Sequence, residues 1–454
     1  MRVVGRCVEL TPSPAGNGRG FFHAPFGRHR TSAENMMDDC DRRVSGDRVG
    51  SFRQKDNNPA AWLSGFVEGV PASTRILLVF QFLVNLSVFG SLPLLAAFLD
   101  MERHLDASSV ASVLTVNLLA SRLLPLLLGA SADRFSSRVL TTLGLLCRAA
   151  GFAGFAFARS LPGLLMWACL SGLGAALYET TAYSIFGSLD GAVRPKVFAL
   201  NNLALNLGAL IGPALLIVVP NTNGALPFLV SGAVFTALAL VAPWIAGRSR
   251  HDVVDGHPLR GVLVAFGDRR FRRLCWSLVP FWTVYTQIYA FIPLTFSHGA
   301  HGYNGVRPFY ITNALMGIAT AWLGMGWFQR TGWRSMMVIG HASLCGCFAL
   351  AAWLVVRDRG ADSSLVILIV LAIVFTFGES LILPASNIAL ASLTTDGNAG
   401  RYFGASAISW AIGGMLGNFI GSAAARWTVF APAWVMFMVI ALTGLLAFRS
   451  RWPQ

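Results

Sequence analysis

Charge is what this 454-residue chain has least of. Only 12% of its residues are Asp, Glu, Lys or Arg, against roughly 25% in soluble globular domains, while 55% are hydrophobic. That deficit excludes a soluble fold with an ordinary charged surface and leaves a chain that crosses a bilayer repeatedly. Lysine is nearly missing: Lys55 and Lys196 are the only two, so the formal charge of +14 rests on arginine. The arginines lie in short loops between apolar runs rather than in one groove-facing patch. This argues against nucleic acid as a partner and for charges that orient a membrane protein. Seven cysteines are present, five of them inside apolar runs, and the only close pair, Cys345-Gly-Cys347, has no partners at metal-ligand spacing. No disulfide framework, metal site or cofactor is expected. No nucleophile–base motif appears either, so the chain does not read as an enzyme.

Residues 1–74 are polar and contain no apolar stretch long enough for a signal peptide. They read as a disordered cytoplasmic N-terminal extension. Beyond them come twelve runs long enough to span the hydrocarbon as helices. Their limits are 75–99, 108–129, 138–158, 161–187, 197–220, 225–246, 274–296, 309–328, 335–356, 364–391, 402–424 and 431–448. With both termini in the cytoplasm, sixteen basic residues fall in inside loops and six in outside loops, as the positive-inside rule requires.

An internal repeat divides the spans six and six. Leu207-Gly208-Ala-Leu-Ile-Gly212-Pro213 matches Ile412-Gly413-Gly-Met-Leu-Gly417-Asn418 at an offset of 205, and the same offset pairs Lys196-Val-Phe198 with Arg401-Tyr-Phe403. The expected organisation is an N-terminal half at 75–246, a basic linker at 247–273, a C-terminal half at 274–448 and a cytoplasmic tail at 449–454. Repeated halves about a central axis are a recurring transporter architecture. Within the linker, Gly261–Arg273 reads as an amphipathic helix on the membrane surface.

Between spans two and three lies the charged turn Gly129-Ala-Ser-Ala-Asp133-Arg134-Phe-Ser-Ser-Arg138. A turn so short forces the two spans to be adjacent and antiparallel. Asp133 can accept from helix N-terminal N–H groups, and Arg138 can pair with carboxylates or helix C-termini. These residues form a candidate gating loop. The related stretch Gly326-Trp-Phe-Gln-Arg330-Thr-Gly-Trp-Arg334 lacks an aspartate, so any gating asymmetry rests on Asp133. In span five, Gly208 and Gly212 stand four apart, a spacing that admits close helix approach, and Pro213 frees a carbonyl and bends the helix.

Ionisable groups inside membrane spans are costly and point to function. Arg122, Arg148 and Glu179 lie on spans two, three and four at similar depths, so Glu179 can pair with an arginine, most naturally Arg148. Glu379, near the middle of span ten, has no evident cation in its own half. All four are candidates for proton coupling; a fixed ion pair that sets helix packing is the competing reading for Glu179. Cavity candidates on spans one, four, seven and ten are Gln81, Asn85, Tyr178, Tyr183, Tyr285, Gln287, Ser380 and Asn387. A mostly apolar pocket with a few hydrogen-bonding groups suits amphipathic organic molecules.

Residues 75–448 resemble the twelve-helix drug:proton antiporter branch of the major facilitator superfamily. The turn at Gly129 is similar to its loop signature G-x-x-x-D-R-x-G-R-[KR], with Ser136 and Ser137 in place of glycine and arginine. Gly208-x-x-x-Gly212-Pro213 resembles the antiporter motif G-x-x-x-G-P-x-x-G-G without its last glycines. Echoes of a bacterial multidrug-resistance subgroup are Arg148-Ala-Ala-Gly-Phe, Ser171-Gly-Leu-Gly-Ala, Gly261–Phe271 and the position of Glu179. Ala168 stands where many relatives carry arginine. The resemblance implies an all-α membrane protein of twelve helices in two pseudo-symmetric halves, working by rocking alternating access. It implies a monomer of the bacterial inner membrane that exports amphipathic small molecules against protons. A nutrient importer of the same fold is the alternative, and a non-transporting sensor or scaffold the least favoured reading.

Overall fold

In the computed structural model, the described residues are 68–132, 136–189, 193–215, 224–245, 258–296, 305–357, 363–393, 399–427 and 431–449. They belong to one compact unit, Phe66–Gln454. The N-terminal extension up to residue 67 lies outside them, as do Asp133, Arg134 and the tail from residue 450.

All regular structure among the described residues is helical, in the order the apolar runs predict. Span one is Ala72–Met101, spans two to six are Ala107–Ala132, Ser137–Phe157, Leu161–Gly187, Arg194–Leu215 and Leu226–Ile245. Span seven runs from Arg269 to Phe296, and spans eight to twelve are Arg307–Arg330, Trp333–Arg357, Ser363–Ala391, Ala399–Ala424 and Ala431–Arg449. Nine of these are long and apolar enough, among the described residues, to cross a membrane. Spans five, seven and eight are the more polar three, carrying Asn201, Asn202 and Asn206, the Arg269–Arg273 run, and Arg307 with Asn313.

Local chemistry sets where the helices start and break. Ser136 Oγ accepts from the Val139 N–H at 3.4 Å and Ser160 Oγ from the Gly163 N–H at 3.4 Å, capping spans three and four. Asp268 caps span seven by accepting from the Arg270 N–H at 2.8 Å, and its other carboxylate oxygen accepts from the Tyr402 hydroxyl at 3.2 Å. The basic run Arg269–Arg273 therefore begins span seven rather than ending the linker. The linker's own helix is Pro258–Gly267, and it packs on spans eleven and two with Ala265 buried. Spans one and seven are both interrupted near a proline. Span one has a 3-10 turn over Leu92–Leu94 around Pro93, and span seven has one over Thr286–Ile288 before Phe291–Phe296, which contains Pro293. A proline ring excludes the helical hydrogen bond it replaces and crowds the turn before it.

Packing repeats between the halves. Span one lies on spans five and six, span three on six and four, and span four on two. Adding six to each number gives the pairs of the second half: seven on eleven and twelve, nine on twelve and ten, ten on eight. The halves meet through spans two and eleven and through five and eight, which exchange under the same rule. Two six-helix halves related by pseudo-symmetry follow directly.

The glycine pairs found in the sequence repeat are what seat these contacts. A Cβ on Gly208 would lie 2.7 Å from Asn85 Cβ, and one on Gly212 would lie 2.8 Å from the Gly90 nitrogen, both on span one. On Gly413 it would lie 2.6 Å from the Val279 carbonyl, and on Gly417 2.5 Å from the Thr283 carbonyl, both on span seven. In each half the fifth helix thus meets the first at backbone distance, which only small residues allow.

Candidate functional site

A cavity of about 290 Å³ opens between the halves, with walls from spans one to five, seven and eleven. Its polar wall belongs to the first half and its aromatic wall mainly to the second. Gln81, Asn85, Asn117, Ser121, Arg122, Arg148, Glu179 and Tyr183 face it from one side, Tyr285, Tyr289, Trp410 and Asn418 from the other.

Close helix approach in the first half makes the charged cluster. Gly172 fits against span two, where a Cβ would lie 2.5 Å from Ala120 Cβ. Gly174 fits against span three, where a Cβ would lie 2.6 Å from the Arg148 backbone nitrogen and 2.8 Å from Arg148 Cγ. The Asn117 amide fastens span two to span four by donating to the Ala168 carbonyl at 3.2 Å. Held this way, spans two, three and four bring their ionisable residues together. Glu179 lies 3.6 Å from an Arg148 nitrogen and 3.7 Å from an Arg122 nitrogen. The sequence favours one partner for Glu179; the geometry supplies two. Arg148 is 6% exposed, and its Nε and one terminal nitrogen are buried without a hydrogen-bond partner among the described residues.

Arg122 also reaches the other half. Its guanidinium carbon stands 3.6 Å over the Trp410 ring, a cation–π distance. Trp410 in turn stacks on Trp282 with centroids 4.3 Å apart and planes 9° from parallel. A line of contacts therefore runs from Glu179 through Arg122 to an indole pair on spans eleven and seven.

Glu379 is placed differently. Its carboxylate accepts from the Asn313 amide at 3.4 Å, and that amide also donates to the Thr376 hydroxyl at 2.7 Å. No ion pair to Glu379 occurs among the described residues, in line with the absence of a cation on its spans. It does not line the cavity.

Of the eight cavity candidates, Gln81, Asn85, Tyr183 and Tyr285 line it and the other four do not. Tyr178 is fully buried against span three near Gly144, because neighbouring helix positions point about 100° apart and Glu179 takes the cavity side. The Gln287 amide donates to the Thr283 carbonyl at 2.6 Å and the Gly417 carbonyl at 3.1 Å, so it ties span seven to span eleven. Ser380 accepts from the Thr320 hydroxyl at 2.8 Å between spans ten and eight. Asn387 is exposed. In the candidate gating loop, Gly129 and Arg138 fall on helices two and three, and Gly208, Gly212 and Pro213 are buried. Sequence reasoning missed Asn117, Ser121, Tyr289, Trp410 and Asn418. The four-residue spacing of Asn117 and Ser121, beside Arg122, was a readable polar stripe; Trp410 carried no such signal.

At the end of the bundle where span one finishes, a second set of contacts joins the halves. Arg426 pairs with the buried carboxylate of Asp100 and donates to the Leu105 carbonyl at 2.9 Å. The Tyr310 hydroxyl lies 3.2 Å from the Pro93 carbonyl and 2.6 Å from the Ile288 carbonyl. Phe291–Phe296 packs on Leu95–Met101 at the same end.

Comparison with known proteins agrees with this architecture. The family model described as "Major Facilitator Superfamily" matches residues 77–362. An "uncharacterized MFS-type transporter" of Mycobacterium tuberculosis (strain ATCC 25618 / H37Rv) is 25% identical over 391 residues, covering 83% of this chain and 93% of that one. "Multidrug resistance protein MdtH" of Escherichia coli O157:H7 is 25% identical over 391 residues, covering 83% and 94%. Among solved structures, the nucleoside transporter NupG superimposes with a TM-score of 0.67 at 12% identity, covering 84% of this chain and all of that one. The POT family transporter PepTSo gives 0.67 at 16% identity, covering 83% and 96%. These last two share the fold.

Proposed function

This chain belongs to the major facilitator superfamily, and from that premise we propose that it is a secondary active transporter that exports amphipathic small molecules in exchange for protons. Export is supported by its likeness along most of its length to relatives named multidrug resistance proteins. The single observation that carries a transport reading is the cavity itself, which lies between two pseudo-symmetric halves and takes walls from both. Such a site is exposed to one side and then the other when the halves rock. Residues 75–246 and 269–448 are the rocking halves, and 247–268 is the tether between them.

Glu379 is the proton carrier in this reading. Its carboxylate accepts from the Asn313 amide and makes no ion pair among the described residues, so it can take up or release a proton without breaking a salt bridge. Glu179, held between two arginines, is instead the fixed counter-charge of the cavity. The protein works as a monomer in the bacterial inner membrane with both termini in the cytoplasm, as the basic residues of its loops support. One chain supplies every wall of the cavity.

Everted membrane vesicles test the proposal. Imposing a pH gradient, acid inside, drives uptake of an exported amphipathic dye, and collapsing the gradient stops it. Uptake indifferent to the gradient overturns the proton coupling; no uptake of any amphipathic compound overturns export.

A further inference from the structure

The charge of the cavity is not balanced. Two guanidinium groups, Arg122 and Arg148, meet one carboxylate, Glu179, and all three line the same space. With each group in its ordinary ionised form the cluster carries one net positive charge. Among the described residues, no other Asp, Glu, Lys or Arg lines the cavity to cancel it.

Nor are the guanidinium donors used up. Both ion-pair distances, 3.6 and 3.7 Å, exceed the roughly 2.7–2.9 Å of a hydrogen-bonded guanidinium–carboxylate pair. Glu179 therefore lowers the field of the arginines without saturating their N–H groups. Arg148, nine-tenths buried, keeps Nε unpartnered and has only Glu179, at 3.6 Å, beside its Nη1, and Arg122 keeps a buried Nε unpartnered. Buried donors left without acceptors are the unusual case in folded proteins. A cation entering here meets a repelling cluster, and a neutral molecule leaves the excess charge in place. An anion neutralises the charge and supplies acceptors in a two-oxygen geometry that guanidinium groups match.

The opposite wall fixes the rest of the ligand. Tyr285 and Tyr289 line the wall given by the second half, and Trp410 stands there too, with Arg122 over its ring and Trp282 stacked on it. Aromatic faces of this kind pack flat rings. The volume, about 290 Å³, lies at the small end of the range for organic ligand sites. We propose that the substrate class is small aromatic monocarboxylates, with the carboxylate docked on Arg148 and Arg122 in place of Glu179 and the ring against Tyr285 and Tyr289, beside Trp410. This rests on the transporter reading and narrows the amphipathic class to its anionic members.

Three isosteric probes separate the charge states: 1-naphthoate, 1-naphthamide and 1-naphthylmethylammonium, measured with the purified full-length protein by quenching of tryptophan emission. The expected order is naphthoate first, the amide about tenfold or more weaker, and the ammonium weakest, as for hydrogen bonds to charged groups. Arg148→Gln lowers naphthoate affinity by about 10- to 100-fold and leaves the amide within about threefold. Glu179→Gln removes the competing carboxylate and tightens naphthoate, a gain that a misfolded variant cannot produce. Inorganic phosphate in excess fails to displace naphthoate. Equal binding of all three probes, no binding of any, strongest binding of the ammonium, displacement by phosphate, or weaker naphthoate binding in Glu179→Gln each overturns the assignment. Counterflow in proteoliposomes keeps the two readings apart. Arginine-dependent naphthoate binding without any counterflow refutes transport and leaves the anion site standing; counterflow of the ammonium but not of naphthoate does the reverse.

Discussion

Arg122 of the first half rests its guanidinium 3.6 Å over the indole of Trp410 in the second, while a nitrogen of the same group lies 3.7 Å from the Glu179 carboxylate. One side chain thus touches the charged wall and the aromatic wall of the cavity, and it does so across the surface along which the halves must move. A cation–π contact shielded from water is worth up to about 2 kcal/mol, enough to bias which arrangement of the halves is populated without locking it. Trp410→Leu removes the contact and the stack on Trp282 together. The expected outcome is normal insertion with counterflow slowed several-fold, and Trp410→Phe in between, because a smaller ring still offers a π face. An unchanged counterflow rate in Trp410→Leu shows that the contact does not contribute to the switch.

Much of the scaffold was legible from residue chemistry because membrane crossing imposes it locally. Twenty or so apolar residues between charged turns define a span whatever its neighbours do, so the order of the helical segments followed from the chain itself. The glycine spacing also transferred. Gly208 with Gly212, and Gly413 with Gly417, each meet the first helix of their own half. The cavity was harder to read, since it depends on how each helix is turned about its axis. Tyr178 and Glu179 are neighbours, and which of them faces inward is decided by Gly144 on another span. Gln287 was a fair cavity candidate by type, but the carbonyls of Thr283 and Gly417 claim its amide. Trp410 belongs to the cavity only because span two brings Arg122 over it.

At the far end of span one, the contacts of Asp100 and Arg426 behave as a latch. The side chain of Asp100 is 4% exposed and that of Arg426 is 43% exposed. Deleting the arginine takes the ion pair away from a buried carboxylate, whereas Asp100→Asn leaves a neutral group in its place, so the two changes are unequal. Arg426→Gln is expected to favour separation of the halves at this end more than Asp100→Asn. Labelling of a Leu92→Cys variant by a membrane-impermeant maleimide reads the change, since Leu92 lines the cavity. Faster labelling in Arg426→Gln than in Asp100→Asn, and in both than in the parent, is the expected order. Equal rates in all three rule out a latch.

The two glycine pairs predict a symmetric sensitivity to volume. A methyl on Gly212 meets the Gly90 nitrogen at 2.8 Å, and one on Gly417 meets the Thr283 carbonyl at 2.5 Å. Backbone atoms cannot swing aside as side chains do, so each alanine forces a helix apart, at a cost of about 1–3 kcal/mol. Gly212→Ala and Gly417→Ala should both lower the thermal midpoint in detergent, the second by more. Alanine at Gly346, which has open space where its Cβ would stand, is the control and should leave the midpoint in place. A control that falls as far as the other two points to general helix sensitivity instead of packing.

Proton coupling is the property that separates the two carboxylates. Glu179 sits between two arginines, so its neutralisation alters the charge seen by the substrate. Glu379 has the Asn313 amide at 3.4 Å and no ion pair among the described residues, so protonating it breaks no salt bridge. Glu379→Gln keeps a carbonyl oxygen for Asn313 to donate to, and it deletes the titration alone. The expected result is therefore a dissociation of two activities. Substrate counterflow, which needs only binding and rocking, stays within about threefold of the parent. Uptake driven by an imposed pH gradient is lost, because the variant behaves at every pH as a permanently protonated carrier. Glu179→Gln is expected to do the converse, shifting substrate affinity while leaving gradient-driven uptake in place. Loss of gradient-driven uptake in Glu179→Gln with its retention in Glu379→Gln would exchange the two roles. Retention in both removes the two carboxylates from the coupling path and leaves them as packing and counter-charge.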